Sequence, residues 1–465
     1  MTNHWQDNTA VRSGIDLFSA WVEAQRAYKN LPGLAVGVVV DKELVWAQGF
    51  GYADVARQRP ATPDTLYRIA SITKLFTAVA IMQLRDQGKL QLDDPVAKYL
   101  PWFTMQNSYA DAPVITIRHL LTHTAGLPRE APFPYWTDSQ FPTLAQIQES
   151  VGQQATAVPP ETRFKYSNLG LSLAGAIVTQ VANQPYEAYV QQHILRPLGM
   201  SSTFVETVDP QHERLAAGYG RRLPGKLQRE IMPFTDCQGI TPAANMATTV
   251  ADLARFAIFH LGDGTAGETR LLRQSTLREM QRVHWLAPDW QSGYGLGFSI
   301  TRQTNKTFIG HGGAVLGYRT QLRLCPAEGT AVIVLTNADD GDPLAYVEKV
   351  FQWVVPPLLA VARPLAAPAP PDPTWQRYVG KYRDAWGDLQ ILLHNGELTA
   401  VDPSQPDPLV ATIRFIPVGE HTFRMETENG FLAPGELATF MVDEADGRVT
   451  RVRLGNTYIE RVEGW

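Results

Sequence analysis

The segment Ser71-Ile72-Thr73-Lys74 places a hydroxyl and an amine three residues apart, at the start of a stretch with helical apolar periodicity. Residues three apart lie on one side of a helix, so Ser71 and Lys74 would face each other. A lysine buried beside a serine can lose its proton and activate the hydroxyl as a nucleophile, and the free N–H groups of a helix start favour a developing oxyanion. About two Ser-x-x-Lys matches arise by chance in a chain of this length. A helix-capping serine with a surface lysine is therefore the alternative.

A second segment, Tyr166-Ser167-Asn168, follows a Pro-rich loop and precedes an apolar helix predicted over residues 169–181. A tyrosine at a helix start can shuttle protons if a nearby lysine cation lowers its pKa, and the asparagine can hold a substrate amide. The Tyr-x-Asn pattern also occurs at residues 28–30. A core tyrosine and a capping asparagine are the alternative interpretation.

The third segment is His311-Gly312-Gly313-Ala314, between two strand-like runs. Paired glycines let a substrate backbone approach an edge strand closely. The N–H of Ala314 could complete an oxyanion hole with that of Ser71. The alternative is a glycine bulge with an incidental histidine.

The surrounding pattern predicts a mixed α/β (α+β) domain. A helix over residues 11–29 precedes a hairpin with strands at 34–40 and 44–50. Helical periodicity dominates residues 71–260, and strand patterns return at 294–301, 307–310, 321–324 and 331–336, before a helix at 344–355. We expect an antiparallel sheet flanked by helices, with a mostly helical subdomain that holds Tyr166.

The composition changes after residue 355. Residues 356–373 are rich in proline and alanine, which indicates a stiff linker. Short alternating strands follow, and Asn395-Gly396 between two of them is a strong hairpin signal. We therefore predict a catalytic domain at 1–355, a linker at 356–373 and a small all-β barrel or sandwich at 374–465.

In combination and in order, the three segments resemble the signature of the β-lactamase-related serine hydrolases: Ser-x-x-Lys, Tyr-x-Asn and Lys/His-x-Gly. This group contains class C β-lactamases, D-peptidases and esterases. Residues 49–54 and 120–128 (LLTHTAGLP) also resemble it, and the resemblance covers about residues 10–355. The C-terminal region resembles the lipocalin-like β domain appended to some intracellular members.

The resemblance implies that Ser71 is the acylated nucleophile and that Lys74 and Tyr166 share the base and acid roles. It implies that Asn168 binds the carbonyl side of the substrate, and that the N–H groups of Ser71 and Ala314 form the oxyanion hole, with Gly313 beside them in the binding strand. His311 stands where β-lactamases carry a lysine. Histidine is mostly neutral at pH 7, so ester or D-amino-acid peptide hydrolysis fits better than strong β-lactamase activity.

Other functions stay open at this point. They are a β-lactamase or penicillin-binding DD-peptidase, an acyltransferase, and a binding module that has kept the fold and lost the activity. A rival nucleophile, Ser172, lies in a Gly-x-Ser-x-Ala segment that approximates a nucleophile elbow. That elbow needs a strand, a turn and a helix, whereas Ser172 lies within a helical pattern.

His119 and His123 are four residues apart, but no third ligand pattern accompanies them. We therefore expect no metal, and no organic cofactor is implied. Three loop residues near the motifs are candidates for lining the pocket: Tyr135, Asn245 and Tyr294.

The chain has 465 residues, of which 44% are hydrophobic and 19% charged, with a net charge of -5. It lacks the basic character of a nucleic-acid binder. Cys237 and Cys325 are too few for a disulfide framework, so two reduced, buried thiols are expected.

The N-terminus has no signal-peptide pattern, and the apolar run at 34–40 is far shorter than the ~20 residues of a membrane span. We expect a cytoplasmic protein that acts on small ester, amide or peptide substrates without membrane or nucleic-acid partners. A homo-oligomer, joined through strand edges of the C-terminal domain, is left open.

Overall fold

A computed structural model describes residues 5, 7–226, 228–303, 305–364, 372–428, 432–443 and 445–464. The chain divides into two compact units, Met1–Arg363 and Pro364–Trp465. Each unit has its own hydrophobic core.

The α-helices of the described residues all lie in the first unit. In chain order they are α1 (Thr9–Lys29), α2 (Thr73–Asp86), α3 (Val96–Tyr99), α4 (Ile117–Thr122), α5 (Tyr135–Asp138), α6 (Leu144–Ser150), α7 (Asn168–Ala182), α8 (Tyr186–Val190), α9 (Thr241–Ala244), α10 (Val250–Leu261), α11 (Gln274–Gln281), α12 (Pro343–Trp353) and α13 (Val355–Ala362).

The strands of the first unit are β1 (Gly33–Val40), β2 (Glu43–Asp54), β3 (Arg59–Pro60), β4 (Tyr67–Arg68), β5 (Ala247–Thr248), β6 (Thr265–Ala266), β7 (Thr269–Arg270), β8 (Trp285–Leu286), β9 (Ser292–Tyr294), β10 (Ser299–Gln303), β11 (Lys306–Val315), β12 (Tyr318–Cys325) and β13 (Thr330–Thr336). Nine of them form one antiparallel sheet in the order β3-β2-β1-β13-β12-β11-β10-β9-β8. The predicted α/β fold class is thereby confirmed.

The centre of this sheet is buried on both faces. In β1, Leu34, Val36 and Val38 pack with α1 and α12, whereas Ala35 and Val39 belong to the core on the opposite face. The period of two follows from the alternation of side chains along a strand. Because both faces are covered, the run contains no polar residue.

The predicted strand at 294–301 is two strands, β9 and β10. Gly297 between them has φ +84°, and the N–H of Gly295 donates to the carbonyl of Phe298, which closes a turn. The predicted strand at 307–310 is longer than expected, because β11 runs on through the His-Gly-Gly-Ala segment. These glycines therefore lie within a strand and not between two.

The second unit is a closed, antiparallel eight-stranded barrel. Its strands are β14 (Gly380–Arg383), β15 (Asp388–His394), β16 (Glu397–Val401), β17 (Ile413–Gly419), β18 (Thr422–Glu426), β19 (Leu437–Val442), β20 (Val449–Leu454) and β21 (Thr457–Val462). The interior is filled by side chains such as Tyr382, Phe415, Phe423 and Phe440, as barrels of this size allow. Closure pairs every described strand of the barrel on both sides. These strands therefore have no free edge for the association with other chains that the sequence analysis left open.

Part of the segment predicted as a linker, 356–373, has regular structure. Residues 356–362 belong to α13, and Pro373–Tyr378 forms a 3₁₀ helix. Residues 365–371 lie outside the described residues. Among the described helices, none alone is long and apolar enough to cross a membrane; α12 and α13, bent by 42°, pass that test only together.

Candidate active site

Ser71 lies in a 3₁₀ turn, Ala70–Ile72, directly before α2. Ala70 has φ +46°, a left-handed conformation that is unfavourable for a residue with a Cβ. The turn is held from both sides. The N–H of Ile69 donates to the carbonyl of Met246 at 2.9 Å, and the Thr320 hydroxyl donates to the carbonyl of Ile69 at 3.2 Å.

Gly313 lets β11 approach this turn closely. A Cβ on Gly313 would lie 2.1 Å from the carbonyl oxygen of Ile69. Ala314, the next residue of β11, and Ser71 line the same groove. The sequence analysis expected this glycine to make room for a substrate. In the structure it also makes room for the Ile69 carbonyl.

Lys74 is fully buried on the first turn of α2. Its Nζ lies 3.0 Å from Ser71 Oγ, 2.8 Å from Asn168 Oδ1 and 2.8 Å from the carbonyl oxygen of Ala243. Burial lowers the pKa of Lys74 to about 7, against the opposing effect of the nearby Glu130. Near neutral pH, a large fraction of Lys74 is thus an unprotonated amine.

Tyr166 lies just before α7, with its ring 4.9 Å from Lys74 Nζ. Burial raises the pKa of Tyr166, and its hydrogen bond with Ser71 acts in the opposite direction. The sequence interpretation required a lysine cation to lower this pKa. Burial instead raises the pKa of Tyr166, because desolvation outweighs the hydrogen bond with Ser71 and the charge of Arg129, so the Tyr166 hydroxyl keeps its proton at neutral pH.

His123 holds the segment that carries Tyr166. Its carbonyl accepts the N–H of Lys165 at 2.8 Å, and its Nδ1 accepts the N–H of Ser167 at 3.1 Å. The His123 ring lies 4.3 Å from the Tyr166 ring. Burial lowers the pKa of His123 well below its usual value, so the ring is neutral and packs as an aromatic.

Asn168, the first residue of α7, connects Lys74 to a carboxylate. Its Oδ1 accepts from Lys74, and its Nδ2 donates to Glu130 Oε1 at 2.7 Å. The other carboxylate oxygen of Glu130 accepts from the Tyr135 hydroxyl. The chain of contacts therefore runs from Tyr135 through Glu130, Asn168 and Lys74 to Ser71.

Both ring nitrogens of His311 are engaged within the protein. Its Nδ1 lies 2.6 Å from the carbonyl oxygen of Gly312, which can only accept, so Nδ1 carries the proton. Its Nε2 therefore accepts from the Tyr294 hydroxyl at 2.9 Å. Burial lowers the pKa of His311 to about 3, so this position carries no positive charge at neutral pH.

These groups meet at an open groove of about 1410 Å³. The predicted site residues in its wall are Ser71, Tyr166, Asn168, His311, Gly313 and Ala314. Lys74 lies behind Ser71. The three candidate pocket residues also lie behind the described wall: Tyr135 contacts Glu130, Tyr294 contacts His311, and Asn245 contacts the buried Arg68.

The rival sites have structural explanations. Ser172 is buried within α7 and its hydroxyl donates to the carbonyl of Asn168, so the strand–turn–helix geometry of an elbow is absent there. His119 caps α4 and contacts Glu161 at 2.8 Å. Among the described residues, no group of His, Cys, Asp and Glu could hold a metal ion. Cys237 and Cys325 are buried free thiols.

A family model described as Beta-lactamase matches residues 18–354. The chain belongs to the Beta-lactamase family. The match covers the whole groove and ends near the boundary between the two units.

Two curated proteins illustrate what this chain is similar to. Beta-lactamase-like protein 2 of Dictyostelium discoideum is 34% identical over 303 residues, which cover 63% of this chain and 54% of that protein. The chain therefore spans about half the length of this relative. Penicillin-binding protein 4 of Amycolatopsis lactamdurans is 28% identical over 385 residues, covering 80% of this chain and 94% of the relative.

Two solved structures are also similar. EstCE1, described as a hydrolase with promiscuous acyltransferase activity, is 25% identical with a TM-score of 0.62, covering 74% of this chain and 98% of EstCE1. A D-stereospecific amidohydrolase from Streptomyces is 26% identical with a TM-score of 0.59. The likeness covers 72% of this chain and 97% of the amidohydrolase. Both structural neighbours are thus described as hydrolases, one with acyltransferase activity and one as an amidohydrolase.

Two contacts of this site were missed by the sequence interpretation. Glu130 lies two residues beyond the LLTHTAGLP segment, and this position was a signal that could have been used. The carbonyl of Ala243 gives no signal in a sequence, since every residue has one.

Proposed function

We propose that the protein is a serine hydrolase that forms an acyl-enzyme on Ser71 and acts on small esters or D-amino-acid amides and peptides. The observation that carries the proposal is the 3.0 Å contact between Lys74 Nζ and Ser71 Oγ, made by a fully buried lysine. A neutral amine in this position accepts the hydroxyl proton as Ser71 Oγ attacks the substrate carbonyl carbon.

The tetrahedral intermediate places its oxyanion between the N–H groups of Ser71 and Ala314. Tyr166, protonated because burial raises its pKa, donates its proton to the leaving alcohol or amine as the carbonyl–leaving-group bond breaks. The proton on Lys74 then returns to Tyr166. In deacylation, water loses a proton to Lys74 as its oxygen attacks the acyl carbonyl carbon, and the bond between that carbon and Ser71 Oγ breaks as Tyr166 donates a proton to Ser71 Oγ. Lys74 then returns its proton to Tyr166. At the end of the cycle, Lys74 is again neutral and Tyr166 is again protonated.

The neutral His311 favours substrates without an obligatory carboxylate next to the scissile bond. A β-lactamase or DD-peptidase is therefore the second candidate, supported by the family and by the likeness to penicillin-binding protein 4. Acyl transfer to an alcohol or amine uses the same acyl-enzyme, and the likeness to EstCE1 supports this variant. A binding module without activity is disfavoured, since Ser71, Lys74 and Tyr166 are in mutual contact.

The test is the intact mass after incubation with a fluorophosphonate. Wild type and Ser172→Ala should each gain one adduct, and Ser71→Ala none. Labelling of Ser71→Ala would move the nucleophile elsewhere. With labelling established, 4-nitrophenyl esters, D-amino-acid 4-nitroanilides and a cephalosporin should be compared by kcat/KM. A cephalosporin value that equals the best ester value would favour the β-lactamase candidate.

A further inference from the structure

Glu130 is a carboxylate one step removed from the nucleophile. Its side chain is 17% exposed, and its Oε1 lies 3.3 Å from Arg129 Nε, with which it forms an ion pair. An ionised carboxylate can only accept hydrogen bonds. One oxygen takes the Tyr135 hydroxyl, and the other takes Asn168 Nδ2 at 2.7 Å.

This contact decides which way the Asn168 amide points. An amide has one accepting and one donating end, and it can rotate by half a turn at little cost in shape. Because Glu130 only accepts, the amide nitrogen must face Glu130 and the amide oxygen must face Lys74. Without the carboxylate, the opposite orientation would place N–H groups against Lys74 Nζ.

The orientation matters for the direction of the Lys74 lone pair. A neutral amine has two N–H groups and one lone pair. Asn168 Oδ1 and the carbonyl of Ala243, both at 2.8 Å, can only accept and therefore take both N–H groups. The remaining neighbour is Ser71 Oγ at 3.0 Å, so the lone pair points at the Ser71 hydroxyl.

We propose that Glu130 is a positioning residue that fixes the Asn168 amide and thereby directs the Lys74 lone pair at Ser71. The inference rests on the proposed acylation of Ser71. It adds a residue outside the three motifs, and it predicts two separable effects: one on geometry, through the hydrogen bond, and one on proton affinity, through the negative charge.

The charge of Glu130 opposes the effect of burial on Lys74 and raises its pKa. Removal of that charge should therefore lower the pKa of Lys74 further, and the acid limb of the rate profile should move to lower pH. The other titratable groups near Lys74 are left unchanged in the variants below. They are Arg129, Tyr166, Cys237, His123 and His311.

The experiment measures the second-order rate of Ser71 labelling by an uncharged fluorophosphonate between pH 5 and 9. Glu130→Gln keeps an acceptor for Asn168 but loses the charge. Its rate above pH 8 should stay within a few-fold of wild type, while the midpoint of its acid limb moves down by roughly one pH unit. Glu130→Ala loses both, and its rate above pH 8 should fall at least about ten-fold.

Two controls separate this role from a general effect. Glu149→Gln removes one exposed carboxylate on α6, and its profile should match that of wild type. In an Asn168→Ala background, Glu130→Ala should add little, since Glu130 acts through Asn168. Thermal unfolding of each variant verifies that the labelled protein is folded, and Glu130→Gln keeps the test decisive if Glu130→Ala does not fold.

The inference is overturned if Glu130→Gln has the acid limb of Glu149→Gln, or if the effects of Glu130→Ala and Asn168→Ala multiply. Either result with normal labelling of wild type leaves the proposed function intact. Absence of labelling in wild type, or labelling of Ser71→Ala, contradicts the proposed function itself and the inference together.

Discussion

A methyl group at Gly313 should displace the nucleophile. The Cβ of Gly313→Ala would lie 2.1 Å from the Ile69 carbonyl oxygen and 2.3 Å from Thr320 Oγ1, whereas real Cβ contacts are essentially never below 3.0 Å. The Thr320 hydroxyl can rotate away, but the Ile69 carbonyl is backbone. Ile69 lies two residues before Ser71, so the strand and the turn must separate by at least about 0.9 Å at this point.

This shift acts on the distance between the two N–H groups that are to hold the oxyanion. A misplacement of about 1 Å at a reacting centre costs roughly 100-fold in rate. We therefore expect kcat/KM for a 4-nitrophenyl ester to fall by about two orders of magnitude, with a loss of roughly 1–3 kcal/mol in the free energy of unfolding from overpacking.

Gly312→Ala is the matched control in the same strand. Its Cβ would lie 2.9 Å from Gln321 Oε1, the end of a flexible side chain that can move. Its kcat/KM should fall much less than that of Gly313→Ala. Both variants are assayed well below their midpoints of thermal unfolding. A folded Gly313→Ala protein with a wild-type kcat/KM would refute the idea that this contact positions Ser71.

Two further predictions follow from buried groups. The rate of ester acylation should rise with a midpoint near pH 7 and level off above pH 8, because Lys74 has a pKa of about 7; a rate that climbs to pH 10 without a plateau would indicate an ordinary lysine. Among the described residues, neither ring nitrogen of the buried His260 has a hydrogen-bond partner, and burial lowers its pKa to about 3. His260→Leu should raise the free energy of unfolding by about 1–3 kcal/mol at pH 7. Between pH 6.5 and 3, His260 binds a proton in the unfolded chain but not in the folded one, so acidification lowers the free energy of unfolding of the wild type. His260→Leu lacks this group, and its free energy of unfolding should fall by about 2 kcal/mol less than that of the wild type between pH 7 and pH 5. Urea unfolding at both pH values measures this, and equal losses in the two proteins would contradict it.

Local patterns were enough to predict β1, β2, β12 and β13 of the main sheet and most strands of the barrel. The run at 34–40 is apolar throughout because both faces of β1 are covered. Asn395 and Gly396 both have positive φ, as a two-residue hairpin turn requires. The pattern failed at β14, whose four residues, Gly380–Arg383, carry a single core side chain, Tyr382.

The three candidate motifs were recognised because each is short and contiguous. The contacts that connect them are not local. Asn168 and Ala243 reach Lys74 across 94 and 169 residues of sequence, and no spacing rule applies at that range. The raised pKa of Tyr166 depends on burial by distant elements, which the sequence does not show.

The central pairing of β1 with β13 has a consequence for biosynthesis. Leu34 pairs with Thr336, and Val40 pairs with Thr330, so one edge of β1 stays open until almost the whole first unit has been made. At roughly 5–20 residues per second, translation of residues 41–329 takes roughly 15–60 s. During that time the nascent chain contains β1, GLAVGVVV, without its partner β13. This segment has no charged residue and no proline, and one of its edges is unpaired. Slowly translated or crowded nascent chains should therefore aggregate through residues 33–40. The yield of folded protein then depends on whether another part of the chain or a chaperone covers this edge before β13 has been synthesised.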